Sequence, residues 1–393
     1  MNGSRLAKRW IKPLLPLSHR YPWQAQTNRL AQAAAAKQNG GLPLIDLSIS
    51  NPTQVGLPLP DPFLFATLEG GAYAPKASGV LELREEICRY YEKEFGSFLH
   101  PGRILLTTST SEAYSYCFKL IADPGTTILL PQPSYPLLQF LIEAEGLKAK
   151  TYPLHEAGGQ WILDRERLIE ACDASTRAIV LVHPNNPTGH FLSNDDLDWL
   201  LEFARDKYWL ICDEVFADYA WAAHQDQVRS LSKFPAGNVF CLSGLSKICA
   251  LPQMKLGWIV MPPAPAIHHS LELVADTYLS VSSPIQVAAS QWLGNRALFQ
   301  APIRGRCIGN LKWIKDSTRG SAWSLLPVEA GWAAILQGPA SIDEEQKALS
   351  LMENGFSAHP GFYYDLPFQP SFVLSLLTPP AHLKAGLAAI IAS

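Results

Sequence analysis

Asn186, Asp213 and Lys247 each follow a short apolar run, and their types point to chemistry on a small molecule. Asn186 lies in His183-Pro-Asn-Asn-Pro-Thr-Gly189, directly after the run 178–182. The prolines and the terminal glycine favour a fixed turn there. Asp213, with Glu214 beside it, ends the run 208–212, and Lys247 closes Ser243-Gly-Leu-Ser-Lys after the run 239–242. A free lysine has a pKa near 10.4 and is a poor nucleophile at neutral pH, so it must be desolvated or placed near another cation to react. Lys247 follows an apolar run and has Lys255 eight residues on, so it is placed to meet either condition. Taken singly, each motif also reads as plain architecture: a rigid connecting loop, or a solvated loop lysine. An amide, a carboxylate and an amine at three successive strand ends form one constellation.

The elements that must position these groups are short runs at 104–107, 127–130, 178–182, 208–212, 239–242 and 258–261, which read as strands buried on both faces. Between most of them lie stretches of helical spacing, at 111–121, 135–145 and 194–205, the last opened by Ser193 as an N-cap. Alternating strand and helix implies a mostly parallel sheet covered on both faces, with ligands at the carboxyl ends of its strands. From about Pro284 the pattern changes to longer helices, runs at 333–336 and 372–376, and a closing helix at 381–391, which reads as a second, α+β domain.

A chain of 393 residues has room for two domains, since single cores rarely grow past roughly 250 to 300 residues. With 48% hydrophobic and 17% charged residues it has the balance of a globular enzyme. A net charge of −3 supplies no field to gather nucleic acid or an anionic membrane, so a small-molecule partner is expected. No G-x-G-x-x-G turn is present, which argues against a dinucleotide site. The seven cysteines include no C-x-x-C pair, so neither a zinc centre nor a disulfide framework is suggested, and a cytoplasmic location is expected. No apolar run approaches the roughly 18 residues of a membrane helix. Basic residues from Arg5 to Lys37 precede the first acidic one, Asp46, as in a transit peptide, but Pro13, Pro16 and Pro22 interrupt any long amphipathic helix there.

The ordered set Asn186-Pro-Thr-Gly, Asp213-Glu and Ser243-x-x-Ser-Lys247 resembles the class I/II pyridoxal-phosphate aminotransferases of fold type I, over a stretch from about Asp46 to the C-terminus. The resemblance implies an α/β large domain with a mostly parallel seven-stranded sheet between helices (residues 49–285), a smaller α+β domain (286–393), and an N-terminal arm with part of the small domain (1–48). It implies that Lys247 holds pyridoxal 5'-phosphate as a Schiff base and moves the proton on the substrate's α-carbon. Asp213 is then the partner of the pyridine nitrogen, Asn186 the donor to the ring oxygen, and Tyr135, in Pro-Ser-Tyr-Pro, the aromatic stacked on the ring. In Thr108-Ser-Thr-Ser-Glu-Ala113, Thr110 and Ser111 are assigned to the phosphate, with Ser246 and Lys255 as further partners. Capping of the following helix is the plainer role for such hydroxyls. Tyr73, followed by Gly79-x-x-x-Leu-Arg84-Glu, matches a tyrosine that reaches the neighbouring subunit's phosphate, which implies a homodimer with shared sites.

The sequence departs from the family pattern in places. Lys255 stands for an arginine, so phosphate would meet a point charge in place of a bidentate fork. Phe216 replaces a tyrosine that donates to the ring oxygen; Ser109, Ser50 and Gly244 replace a glycine, a glycine and a serine. The family's carboxylate-binding arginine, in R-x-S near the C-terminus, is matched by Val373-Leu374-Ser375, and no arginine follows Arg319. Lys255, backbone N–H groups or Arg304 are the alternatives for a substrate carboxylate. The expected activity is transfer of an amino group between an amino acid and a 2-oxo acid. A pyridoxal-phosphate lyase or decarboxylase, or a non-catalytic protein that kept the cofactor, are the alternatives.

Overall fold

The computed structural model describes residues 18, 20, 28–66, 68, 74–221, 227–368 and 370–392. Helix α1 (Arg29–Asn39) and strand β1 (Ile45–Asp46) lead to α2 (Leu81–Phe95). Strands and helices then alternate through β2 (Ile104–Thr107), α3 (Thr110–Ile121), β3 (Thr127–Gln132), α4 (Leu137–Ala144), the hairpin β4 (Lys148–Ala157) and β5 (Gln160–Leu163), and α5 (Arg165–Ala171). They continue through β6 (Thr176–Val182), α6 (Asn194–Ala204), β7 (Trp209–Asp213), β8 (Val239–Gly244), α7 (Leu245–Ile248) and β9 (Gly257–Val260). The remainder is α8 (Pro265–Tyr278), α9 (Ser283–Gly294), α10 (Arg296–Thr318), β10 (Ser324–Leu325), β11 (Ala333–Gln337), α11 (Glu344–Glu353), β12 (Phe356–Ser357), β13 (His359–Pro360), β14 (Ser371–Ser375) and α12 (Pro380–Ile391).

The large sheet runs β2-β9-β8-β7-β6-β3-β4-β5, with only β5 and β9 opposed in direction to the others. It is therefore mostly parallel, as expected, but has eight strands and not seven. The pair β4 and β5 escaped the sequence pattern because it forms the sheet's edge: β4 exposes Lys148, Lys150, Thr151 and His155, so no continuous apolar run marks it. The inner strands read as apolar runs because alternate residues enter different cores. Leu105, Ile128, Val180, Ile211 and Phe240 face one side, and Leu106, Leu129, Ile179, Leu210 and Cys241 the other. Ser193 caps α6 as expected, accepting from the Asp196 N–H.

A four-stranded antiparallel sheet, β10-β11-β14-β13, packs with α10, α11 and α12 around a further core that includes Leu47, Ile314, Leu336, Leu374 and Leu387. The N-terminal part joins this core, since Leu30 of α1 lies in it and β1 pairs in parallel with β12. Among the described residues no helix is long and apolar enough to cross a membrane.

Candidate active site

Strands β6, β7 and β8 are neighbours in sequence and in the sheet, with Val182 opposite Asp213 and Asp213 opposite Leu242. The pairing continues past the strand ends: the His183 N–H donates to the Asp213 carbonyl and the Glu214 N–H to the Leu242 carbonyl, both at 2.8 Å. This fixes the carboxyl ends of the three strands side by side and brings the segments that carry Asn186, Asp213 and Lys247 to one edge. Lys247 lies on α7, whose flanking Leu245 and Ile248 are buried, and its carbonyl accepts from the Tyr219 hydroxyl at 2.8 Å.

Burial lowers the Lys247 pKa to about 8, against the opposing pull of the Asp213 carboxylate. Of the two conditions open to this lysine, desolvation is the one that operates. Its ammonium lies 4.9 Å from the ring centroid of Trp332 and 5.5 Å from that of Phe216. Aromatic faces at that range stabilise a cation without hydrating it. Burial likewise raises Asp213 to about 6, while the Val215 N–H (3.1 Å to Oδ1), the Tyr114 hydroxyl (3.2 Å to Oδ2) and the Lys247 charge favour its ionised form. Glu214 serves the scaffold instead: it is buried, and its carboxylate accepts from the Ser230 hydroxyl and the Leu231 N–H, each at 2.7 Å.

At the start of α3, Ser109 Oγ accepts from the Glu112 N–H at 3.2 Å and Glu112 Oε2 accepts from the Thr108 N–H at 2.7 Å. That reciprocal cap leaves the Thr110 and Ser111 hydroxyls without a hydrogen bond among the described residues, next to the unpaired N–H groups of a helix start, where an anion is favoured. The floor beneath is tightly closed. A Cβ on Gly257 would stand 2.9 Å from the Ser109 carbonyl carbon, and one on Gly244 would stand 2.8 Å from the Leu256 oxygen and 2.9 Å from Gly257 Cα. Backbone thus occupies the room that any side chain at residue 244 would take. Ser243 Oγ is buried without a partner, Ser246 is half-buried, and Lys255 is exposed with left-handed backbone (φ 49°).

Asn185 holds the Asn-Pro turn, donating from Nδ2 to the Pro133 carbonyl (3.1 Å) and to Thr188 Oγ1 (3.0 Å). Asn186 is left without a hydrogen bond among the described residues. Tyr135 is 42% exposed, and burial together with the Asp213 charge raises its pKa. Unengaged donors at Thr110, Ser111, Asn186 and Ser243, with a desolvated lysine and a buried carboxylate, fit a phosphate-bearing pyridine aldehyde.

Sequence reasoning missed Tyr114 and Trp332; an aromatic at either place reads as ordinary core. Tyr73 lies outside the described residues. Arg304 lies 3.5 Å from the Ala220 carbonyl and 5.7 Å from the ring of Tyr219, the residue that bonds the Lys247 carbonyl. Val373 is 3% exposed and packs in the core.

The profile of the family described as aminotransferase class I and II matches residues 66–389. The chain belongs to that family. Mouse tyrosine aminotransferase is 31% identical over 236 residues, which cover 57% of this chain and 50% of that protein. The S-alkyl-thiohydroximate lyase of Arabidopsis thaliana is 31% identical over 195 residues, 49% of this chain and 41% of the lyase. Against these two relatives the match thus spans half their length or less. A Thermus thermophilus aspartate aminotransferase variant shares the fold, with a TM-score of 0.82 over 96% of this chain and 100% of that one at 20% identity.

Proposed function

We propose that this protein is a pyridoxal 5'-phosphate-dependent aminotransferase that moves an amino group between an amino acid and a 2-oxo acid. The observation that carries the reading is Lys247: a half-buried lysine over the rings of Trp332 and Phe216, lowered to about 8, on the helix that follows β8, with a carboxylate raised to about 6 at the end of the neighbouring β7. Pyridoxal phosphate, when bound, supplies an electron sink for charge left on the substrate's α-carbon. Lys247 Nζ, neutral in part near pH 8, would attach the cofactor and then carry a proton to and from that carbon. Asp213 would face the protonated ring nitrogen, its carboxylate oriented by Tyr114 and Val215. Asn186 would donate to the ring oxygen and Tyr135 would stack on the ring. Thr110, Ser111, Ser246 and Lys255 would bind the phosphate with the first turn of α3. Phe216 and Trp332 exclude water from Lys247.

The reading includes a division near residue 285 into large and small domains, supported by the separate core around Leu374 and Leu387, with α10 bridging the two through Phe299 and Ile303. It also includes a cytoplasmic homodimer in which Tyr73 reaches the neighbouring subunit's phosphate. Mixing Tyr73→Phe and Lys247→Ala subunits tests the shared site: activity regained on mixing supports it, and monomeric sedimentation ends it.

The lyase relative gives the second reading, a lyase or decarboxylase on the same fold. Single-turnover reaction of the cofactor-loaded protein with an amino-acid panel separates the two. Stoichiometric 2-oxo acid without ammonia or carbon dioxide, with the reverse flow on adding a 2-oxo acid, supports the transferase. Release of ammonia or carbon dioxide would overturn it.

A further inference from the structure

Val373 stands where the family pattern has its carboxylate-binding arginine, and the strand pairing shows what lies beside it. β14 is flanked by β11 and β13, with Val373 directly opposite Ile335 on one side and His359 on the other. Directly opposed residues of antiparallel strands project from the same face. His359 therefore lies in one row with Val373 and Ile335, on the face of the small sheet that joins the core of Leu326, Leu366 and Trp161.

His359 is half-buried. Its Nδ1 lies 3.0 Å from the Tyr364 hydroxyl, and its ring is flanked by Tyr363 at 5.6 Å and Tyr364 at 5.9 Å. Nε2 has no hydrogen-bond partner among the described residues. The Asp365 carbonyl, next to Tyr364, accepts from Gln132 Nε2 at the end of β3 (3.4 Å), and the following Pro133 carbonyl accepts from Asn185 (3.1 Å), so hydrogen bonds tie the segment of His359 and Tyr364 to the Asn-Pro turn of the candidate active site. Burial favours the neutral imidazole, opposed by Asp46. With the Tyr364 hydroxyl donating to Nδ1, the neutral ring carries its proton on Nε2, where it is a donor.

We propose that His359, oriented by Tyr364, donates from Nε2 to the substrate's carboxylate and takes the place of the missing arginine. The inference rests on the aminotransferase reading for the identity of the substrate, but its test does not need turnover. One donor replaces a two-pronged fork, so carboxylates should bind more weakly here than in arginine-bearing relatives.

Binding of 3-phenylpropanoate and of the uncharged 3-phenylpropan-1-ol to the cofactor-loaded protein is measured by calorimetry. His359→Leu should weaken the carboxylate about 10- to 100-fold and leave the alcohol unchanged. His359→Gln, which keeps a donor, should recover part of that loss. Tyr364→Phe, at full cofactor absorbance, should give a smaller loss and serves if His359→Leu does not fold. The proposal is overturned if wild type does not prefer the carboxylate, if both ligands weaken together, or if neither His359→Leu nor Tyr364→Phe changes carboxylate affinity. A protein that discriminates the carboxylate through His359 yet transfers no amino group would sink the activity and leave this inference standing.

Discussion

The hydroxyl of Tyr114 on α3 donates to Asp213 Oδ2 at the end of β7, 3.2 Å away and 99 residues apart in the chain. This contact opposes the burial that raises the Asp213 pKa to about 6. Tyr114→Phe removes a donor to the charged form, so the pKa should rise further. Cofactor affinity that depends on an ionised Asp213 should then fall off at higher pH than in wild type. A binding titration across pH checks this, and an unmoved acid limb would count against the role of Tyr114.

Asp213 should also burden the cofactor-free fold. Its folded pKa of about 6 lies above the ordinary 3.8, so the stability linked to its protonated form is present below pH 3.8 and lost as pH rises through 6. Asp213→Asn should therefore stabilise the cofactor-free protein by roughly 3 kcal/mol at pH 8 and by about half of that at pH 5. Denaturant unfolding at the two pH values measures it. A gain that is equal at both, or absent, contradicts the buried-charge account.

Lys247 reacts as the neutral amine, and its pKa is lowered from 10.5 to about 8. Chromophore formation on adding pyridoxal phosphate should rise with pH and level off a little above 8. A rate that still climbs at pH 10 would mean that the lysine is not desolvated. Lys247→Ala should form no such chromophore, and borohydride reduction of wild type should label the peptide that contains Lys247.

Phe216, edge-on to Trp332 at 5.3 Å, has no hydroxyl to give to the ring oxygen. Donors to a charged acceptor stabilise that charge, so Phe216→Tyr should lower the pKa of the cofactor chromophore. A charge-assisted hydrogen bond of roughly 1.5 to 3 kcal/mol corresponds to about one to two units. Spectral titration of the two proteins decides it; an unchanged or raised value refutes the assignment.

Gly244→Ser, which supplies the serine that the sequence motif leads one to expect there, should weaken the site and not strengthen it. The new Cβ would press on the Leu256 carbonyl at 2.8 Å and on Gly257 Cα at 2.9 Å. Overpacking of this kind costs about 1 to 3 kcal/mol, and here the strain falls on the turn beneath α3. Cofactor affinity should drop, read by equilibrium dialysis. A variant that binds as tightly as wild type would show that the turn can yield.

The inner strands, the Ser193 cap and the order of Asn186, Asp213 and Lys247 were legible in the sequence because each is a local pattern: an apolar run, a capping residue, a motif that follows a strand. What tertiary structure decided are contacts between distant segments. Tyr114 meets Asp213, and Trp332 meets Lys247, only because α3 and the small domain fold back on the ends of β7 and β8. The β4–β5 edge carries polar residues on its open face and so gave no periodic apolar signal. The row of Ile335, Val373 and His359 depends on register between three strands, which no single segment encodes, because each strand's partners are chosen by the core they bury together.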